Sequence, residues 1–120
     1  MRISDAVERL DSAPKQRKSR GAKTPEGKVK QRVKEILDEL DCYWFMPVTT
    51  GYSRSGVPDF IACVNGRFVG IETKSIHSSH TLTKLQEINL KQIETAGGVS
   101  LVINEQNVED LLCLLKGQNV

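Results

Sequence analysis

Two carboxylates and a lysine, Asp59, Glu72 and Lys74, flank an Asn65-Gly66 dipeptide that lies between two apolar runs. Asn-Gly between such runs is typical of a two-residue type I′ turn, so the segment is predicted to form a β-hairpin. In that register the numbers of paired residues add up to 131. Asp59 then lies opposite Glu72 with Cβ atoms about 4.5–5.5 Å apart. Lys74 shares their face because side chains alternate along a strand.

This arrangement predicts a site for a divalent cation. Carboxylates that face each other across a ladder repel, and a cation between them would remove the repulsion. Oxygen ligands suit Mg²⁺, with Mn²⁺ as a substitute. The metal could bind a phosphate oxygen and lower the pKa of a water molecule, while Lys74 could hold that water or stabilise a charged transition state. The structural alternative, an Asp at a strand start and an exposed Glu–Lys pair, explains each residue separately but not their convergence on one face.

Glu26 is a candidate third acidic residue. It follows Thr24-Pro25, a helix start with Thr as N-cap and Pro at the first helical position. At helical spacing it begins the inward-facing stripe, which comprises positions 26, 29, 33, 36, 37 and 40. A carboxylate aimed at the edge of a core needs a cation or a donor. Alone, Glu26 would be explained by the helix dipole; beside the hairpin carboxylates we favour a metal role.

The elements that must position these residues follow the order α-β-β-β-α-β-α, which predicts an α/β fold with a mixed sheet flanked by helices. They are a helix over 24–40, a strand that begins at Tyr43 and ends near Pro47, hairpin strands over 59–65 and 67–75, a helix from about Leu82 or Thr83 to Ala96, a strand over Val99–Ile103 and a helix through Leu115. Thr83 and Gln86 fit a capping box. The apolar run 99–103 predicts a strand buried on both faces, and Asn107 is the predicted cap of the last helix.

Charge is distributed unevenly along the 120-residue chain. Residues 1–34 contain eleven Lys and Arg against four Asp and Glu, whereas residues 35–120 contain six against eleven. We interpret residues 1–23 as a basic N-terminal arm and residues 24–120 as a single domain. For the arm, an extended or mobile segment and a short helix marked by Val7 and Leu10 are equal alternatives. The asymmetry favours a polyanionic partner, for which nucleic acid is the natural candidate. A solvated basic tail without a partner is the alternative.

Five side chains are candidate contacts to a nucleic-acid backbone. Lys28, Lys30 and Arg32 lie on the first helix, mostly away from its apolar stripe. Tyr52 and Arg54 lie in a loop rich in Gly, Ser and Thr that precedes the hairpin. For this loop, a plain surface connection is the alternative interpretation.

Cys42, Cys63 and Cys113 lie far apart in apolar segments, so we expect neither a disulfide framework nor a zinc cluster. The pattern favours small buried side chains in a reducing compartment. The N-terminus has no apolar signal-peptide core, and no run approaches the roughly 20 apolar residues of a membrane span. We therefore expect a soluble, cytoplasmic protein without a membrane partner.

Pro58-Asp59, then twelve residues, then Glu72-Thr73-Lys74 resembles the PD-(D/E)XK nuclease signature, which is loose by itself. A longer match is more specific. It resembles the VRR-NUC family, the virus-type replication-repair nucleases, through Gly56-Val57-Pro58-Asp59-Phe60, Gly66-Arg67, Ile71-Glu72-Thr73-Lys74, Gln86 on the following helix and Glu26 on the preceding one. The resemblance covers about residues 24–103.

The resemblance implies a restriction-endonuclease-like αβββαβ core and a Mg²⁺- or Mn²⁺-dependent DNA endonuclease. By role, it implies metal binding by Asp59, Glu72, the Thr73 carbonyl and Glu26, catalysis by Lys74 together with Asp59 and Glu72, and support by Gln86. Stand-alone members of this size resemble junction-resolving homodimers, which implies a Holliday (four-way) junction resolvase of phage or bacterial origin. The alternatives are a flap, nicking or restriction-type nuclease of the same superfamily, or a non-catalytic DNA-binding protein on the same fold.

Overall fold

A computed structural model describes residues 23–48, 54–78 and 81–117. The basic arm predicted for residues 1–23, except Lys23, lies outside the described residues. The elements are α1 (Pro25–Glu39), β1 (Tyr43–Phe45), β2 (Phe60–Val64), β3 (Arg67–Thr73), α2 (Lys84–Thr95), β4 (Val99–Ile103), a 3-10 turn (Val108–Asp110) and α3 (Leu111–Lys116). Within these ranges, no helix combines the length and the apolar character that a membrane crossing requires.

The four strands form one mixed sheet in the order β1-β2-β3-β4. β1, β2 and β3 are antiparallel neighbours, whereas β4 lies parallel to β3. A parallel pair needs a crossover connection, and α2 provides it. The predicted α/β class, with a mixed sheet flanked by helices, is therefore confirmed, and the element order is compatible with an αβββαβ core.

The hairpin between β2 and β3 has the predicted register. All of its residue pairs have numbers that add up to 131. Asn65 and Gly66 have φ angles of 51° and 78°, the left-handed values that both central residues of a type I′ turn need. Asp59 directly precedes β2 and Glu72 lies in β3, so one further pair in this register would set them opposite each other.

One face of the sheet carries the main hydrophobic core. The apolar side chains of α1 recur at helical spacing and are buried on this face. They pack against side chains of β2, β3, β4, the 3-10 turn and α3, namely Phe60, Ala62, Val64, Val69, Ile71, Ile103, Val108, Leu111 and Leu115. Trp44 packs on Phe60 with ring centroids 5.8 Å apart, and its indole N–H donates to Asp38 Oδ1 at 3.1 Å. This core fixes α1 across the hairpin.

The opposite face is covered by α2 over β3 and β4. Ile93 packs over Gly70, where an added Cβ would lie 2.6 Å from Ile93 Cδ1. Ser100 Oγ in β4 donates to the Leu90 carbonyl at 2.6 Å. The helix α2 therefore packs closely against β3.

Over β1 and β2, the described residues leave this second face bare. Tyr43 pairs with Cys63, which pairs with Phe68, so these three side chains share the face. All three are exposed, as is Phe45, and Tyr43 is 69% exposed. We call this surface the bare half-sheet.

Two element predictions were wrong in detail. β1 ends at Phe45, two residues before Pro47, near which the strand was predicted to end; Pro47 has no amide hydrogen to continue a ladder. Asn107 does not cap a helix: its Oδ1 accepts from the Asn104 amide at 2.7 Å and its Nδ2 donates to a carbonyl of β4. A 3-10 turn therefore intervenes before α3 begins.

Two burial predictions were also wrong. Val102 in β4 is exposed, because β4 is an edge strand that α2 covers only in part. Cys63 and Cys113 are exposed and Cys42 is half-buried, and all three are free thiols. Cys63 is exposed because it lies on the bare half-sheet.

Candidate active site

The chain before Asp59 is fixed by α2. Gly56 has φ 79°, and an added Cβ would come within 2.7 Å of the Leu85 backbone. Asn89 Nδ2 donates to the Ser55 carbonyl at 3.0 Å. These contacts hold the loop that delivers Asp59 to the start of β2.

Asp59 is oriented by β3. Its Oδ2 accepts from the Thr73 amide at 3.0 Å and from the Thr73 hydroxyl at 2.6 Å. Burial acts to raise the pKa of Asp59, but hydrogen bonds with Glu72 and Thr73 and the charge of Lys30 outweigh it, so the pKa is lowered. Asp59 is therefore ionised at neutral pH.

Glu72 is buried against Asp59, with only 2% of its surface exposed. Burial, then the hydrogen bond with Asp59 and repulsion from its charge, raise the pKa of Glu72 to about 8, although Lys74 and Lys30 act to lower it. The two carboxyl groups are thus neighbours, as the register predicts, and share one proton near neutral pH. The Oε2 atom of Glu72 is buried without a hydrogen-bond partner.

Lys74 lines an open cleft of about 860 Å³. The wall also includes Glu26, His77 and the N-cap residues of α1 and α2, Thr24 and Thr83. Both helices therefore begin at this cleft, where the positive ends of their dipoles lie. Positive helix ends and a lysine make the cleft suited to an anionic ligand.

The segment after β3 is fixed by hydrogen bonds to residues at the end of β4 and just after it. The Lys74 amide donates to the Ile103 carbonyl at 2.9 Å. Glu105 accepts from Ser75 Oγ at 2.5 Å and from the Ile76 amide at 2.9 Å, and these two bonds, in that order, lower its pKa. Glu105 was missed in the sequence because Ser75 is 30 positions away and no local motif links them.

Glu26 faces a lysine of its own helix. Its Oε2 lies 3.5 Å from Lys30 Nζ, and the same ammonium lies 3.9 Å from Asp59 Oδ1. Among the residues that the structure describes, no three His, Cys, Asp or Glu side chains are grouped so as to hold a metal. The metal role of Glu26 therefore stays a prediction. The spacing of four between Glu26 and Lys30 is a sequence signal that could have identified this pair.

The Asp59–Glu72 pair nevertheless fits a divalent cation. A buried carboxylate oxygen without a partner, Glu72 Oε2, lacks the donor or cation that such a group needs. The neighbouring Asp59 carboxylate uses Oδ2 for Thr73. A cation would remove the repulsion that keeps Glu72 protonated.

No family model matches the chain, and no curated protein does. The VRR-NUC resemblance therefore stays a prediction that rests on the residues quoted for it.

Arg32, a predicted contact to DNA, is engaged within the protein. Its Nε and Nη2 each lie 2.9 Å from the Glu109 carboxylate in the 3-10 turn, and its Nη1 lies 3.3 Å from Glu35. The hydrogen bonds from Arg32 to Glu109 join α1 to the 3-10 turn. A role of Arg32 in DNA binding stays a prediction.

Three other side chains are predicted contacts to a nucleic-acid backbone. Lys28 is exposed on α1, whereas Arg54 Nη2 donates to Gln92 of α2. Tyr52 lies outside the described residues. A role of these three side chains in DNA binding stays a prediction.

Gln86 forms the predicted capping box. Its Oε1 accepts from the Thr83 amide at 2.9 Å, and its own amide donates to Thr83 Oγ1 at 3.2 Å. Its supporting role at the site stays a prediction.

Thr73 contacts Asp59 through its amide and its hydroxyl. Metal binding by the Thr73 carbonyl stays a prediction.

Proposed function

We propose that this protein is a Mg²⁺-dependent, structure-selective DNA endonuclease, most specifically a four-way junction resolvase of phage or bacterial origin. One observation carries the proposal: Glu72 is buried beside Asp59 with an unpartnered carboxylate oxygen. A purely structural hairpin gains nothing from two carboxyl groups in contact, since the contact costs stability.

Asp59 and Glu72 would hold the metal, joined by the Thr73 carbonyl. Once bound, Mg²⁺ would neutralise charge on a phosphate and lower the pKa of a water molecule. Thr73 keeps the Asp59 carboxylate in one orientation. Lys74, at the edge of the cleft, would hold the attacking water or stabilise charge on the scissile phosphate.

The cleft suits a DNA backbone. Its wall combines Lys74, His77 and the N-cap residues of α1 and α2, Thr24 and Thr83, and helix N-termini attract phosphate groups. The basic residues 1–23 would add non-specific attraction to other phosphates.

A junction resolvase would act as a homodimer, because the described part of the chain carries one candidate site and a junction must be cut on two strands. The bare half-sheet is the apolar surface of the described residues best suited to such pairing. We place the reaction in the cytoplasm of a bacterial or phage-infected cell.

The test is a panel of end-labelled DNAs: four-way junction, flap, splayed arm, nicked duplex and linear duplex, each with Mg²⁺ and with Mn²⁺. Asp59→Asn and Lys74→Met are compared with Lys91→Met, an exposed lysine on α2. We expect junction cleavage at paired positions, lost at least about a hundredfold in the first two variants and retained in the third.

Each alternative has its own outcome. Cleavage of flaps, nicks or duplex in preference to junctions would favour another nuclease of the same superfamily. Tight binding without cleavage in either metal would favour a non-catalytic DNA-binding protein. Full activity of Asp59→Asn would refute the site, and a monomeric mass with junction DNA bound would refute the resolvase form.

A further inference from the structure

One ammonium group lies within reach of two carboxylates at the candidate site. Lys30 Nζ is 3.5 Å from Glu26 Oε2 and 3.9 Å from Asp59 Oδ1. Asp59 is in turn the hydrogen-bonded neighbour of Glu72. Lys30 thus belongs to the acidic cluster, whereas its sequence position suggested only a contact to a DNA backbone.

The contacts of Lys30 are attractive but loose. Both distances exceed the 2.7–3.2 Å of a typical N–H···O hydrogen bond, and the side chain is 31% exposed. Ion pairs of this kind contribute little to stability, so the fold has little need of Lys30 here. The ionised Asp59 and the acidic Glu26 do benefit from a positive charge between them, because it offsets the repulsion between the two groups.

We propose that Lys30 is the internal counter-ion of the Asp59–Glu72 site and competes with a divalent cation for Asp59. The inference rests on the proposed function, since it concerns the same site. A dication bound at Asp59 would repel the Lys30 ammonium, which would then move away on its flexible four-carbon stem. Glu26 lies one helical turn before Lys30 and keeps the ammonium once it has moved.

The same geometry assigns Glu26 a positioning role. It draws Lys30 away from Asp59 and so favours the metal without binding it. A ligand and a positioning residue differ in a double-mutant cycle. If Glu26 acts only through Lys30, replacing it has no effect once Lys30 is also replaced.

The experiment is Mn²⁺ binding by the full chain without DNA, followed by electron paramagnetic resonance and by calorimetry. The variants are Lys30→Gln, Glu26→Gln and the double variant, with Lys28→Gln as a charge-matched control on the exposed side of α1. Because Lys30 is partly exposed, glutamine is expected to preserve the helix, and cooperative thermal unfolding verifies this.

We expect Lys30→Gln to bind Mn²⁺ at least about tenfold more tightly than the wild type, and Lys28→Gln to stay within about twofold. Glu26→Gln should weaken binding about threefold or more in the wild-type background and by less than about twofold when Lys30 is glutamine. A loss of affinity on adding Glu26→Gln to Lys30→Gln would make Glu26 a ligand and overturn its positioning role.

Equal Mn²⁺ affinity of the wild type and Lys30→Gln would overturn the counter-ion role and leave the nuclease proposal intact. Absence of Mn²⁺ binding in all variants would overturn the inference together with the metal site on which it depends. The two failures are therefore distinguishable.

Discussion

The carboxylate of Asp59 is bound through one oxygen by both polar groups of a single residue, Thr73. The Thr73 amide lies 3.0 Å and the Thr73 hydroxyl 2.6 Å from Asp59 Oδ2. Thr73 is the last residue of β3 and lies between Glu72 and Lys74 in the chain. The middle residue of the Glu-Thr-Lys sequence therefore orients the carboxylate contributed by the neighbouring strand.

Replacement of Thr73 by valine tests this link. We expect Thr73→Val to lower the free energy of unfolding by about 1–2 kcal/mol, because the half-buried Asp59 carboxylate loses its hydroxyl donor, and to raise the pKa of Asp59. Urea unfolding and NMR titration measure the two effects. Thr73→Ser keeps the hydroxyl and is the control; if serine raises the Asp59 pKa as much as valine does, the hydroxyl is not the cause.

Glu72 predicts the pH dependence of the metal-free protein. Its pKa is raised to about 8 in the folded state, whereas the unfolded chain has the ordinary, lower glutamate pKa. In the pH window between these two values, the folded protein keeps a proton that the unfolded chain has released. The free energy of unfolding therefore falls as pH rises through this window and levels off above about pH 8. The Asp59 pKa is shifted downward instead, so its contribution is lost only in acid.

Between about pH 6 and pH 8, the wild type should lose about 2 kcal/mol of stability relative to Glu72→Gln, which has no carboxyl group to titrate. Denaturant unfolding at a series of pH values in the presence of a chelator measures the difference. Parallel pH profiles for the two proteins would show that Glu72 ionises normally.

Two glycines with the same backbone conformation should differ in their tolerance of a side chain. Gly56 and Gly66 have φ of 79° and 78°, but a Cβ at Gly56 would lie 2.7 Å from the Leu85 backbone, whereas one at Gly66 meets nothing within 4 Å. We expect Gly66→Ala to cost about 1 kcal/mol from backbone strain alone. Gly56→Ala should cost about 3 kcal/mol or more, since the loop must also move off α2. Equal losses in thermal unfolding would contradict the close contact.

Glu105 should control the segment that follows Lys74. Glu105→Ala removes the acceptor of the Ser75 hydroxyl and of the Ile76 amide, so hydrogen exchange at Ile76 should accelerate at least about fivefold. Glu109→Ala is the control, because Glu109 is an exposed acidic residue near Glu105 that binds Arg32 instead. Unchanged exchange at Ile76 in Glu105→Ala would show that the segment is held by other contacts.

The sequence predicted the hairpin because local physics determines it. Asn65-Gly66 specifies the turn, the turn specifies the register, and the register brings Asp59 to Glu72. Helix starts were equally predictable, since Thr24 and Thr83 act through neighbours three positions away.

The sequence could not predict interactions that depend on how the elements pack. Glu105 reaches Ser75 across the end of the sheet, and Lys30 reaches Asp59 from α1 to the hairpin. Asn107 has the composition of a helix cap, but a bond to the Asn104 amide uses its side chain instead. Exposure of Cys63 depends on how far α2 extends over the sheet, which a strand pattern does not reveal.

β3 is paired on both sides, with β2 antiparallel and with β4 parallel. The parallel partner comes later in the chain, and it supplies the Ile103 carbonyl that binds the Lys74 amide. During synthesis the hairpin leaves the ribosome first and α2 and β4 follow. Lys74 is therefore anchored only after β4 has emerged and docked, so the nascent hairpin carries its two carboxylates before it carries a positioned lysine.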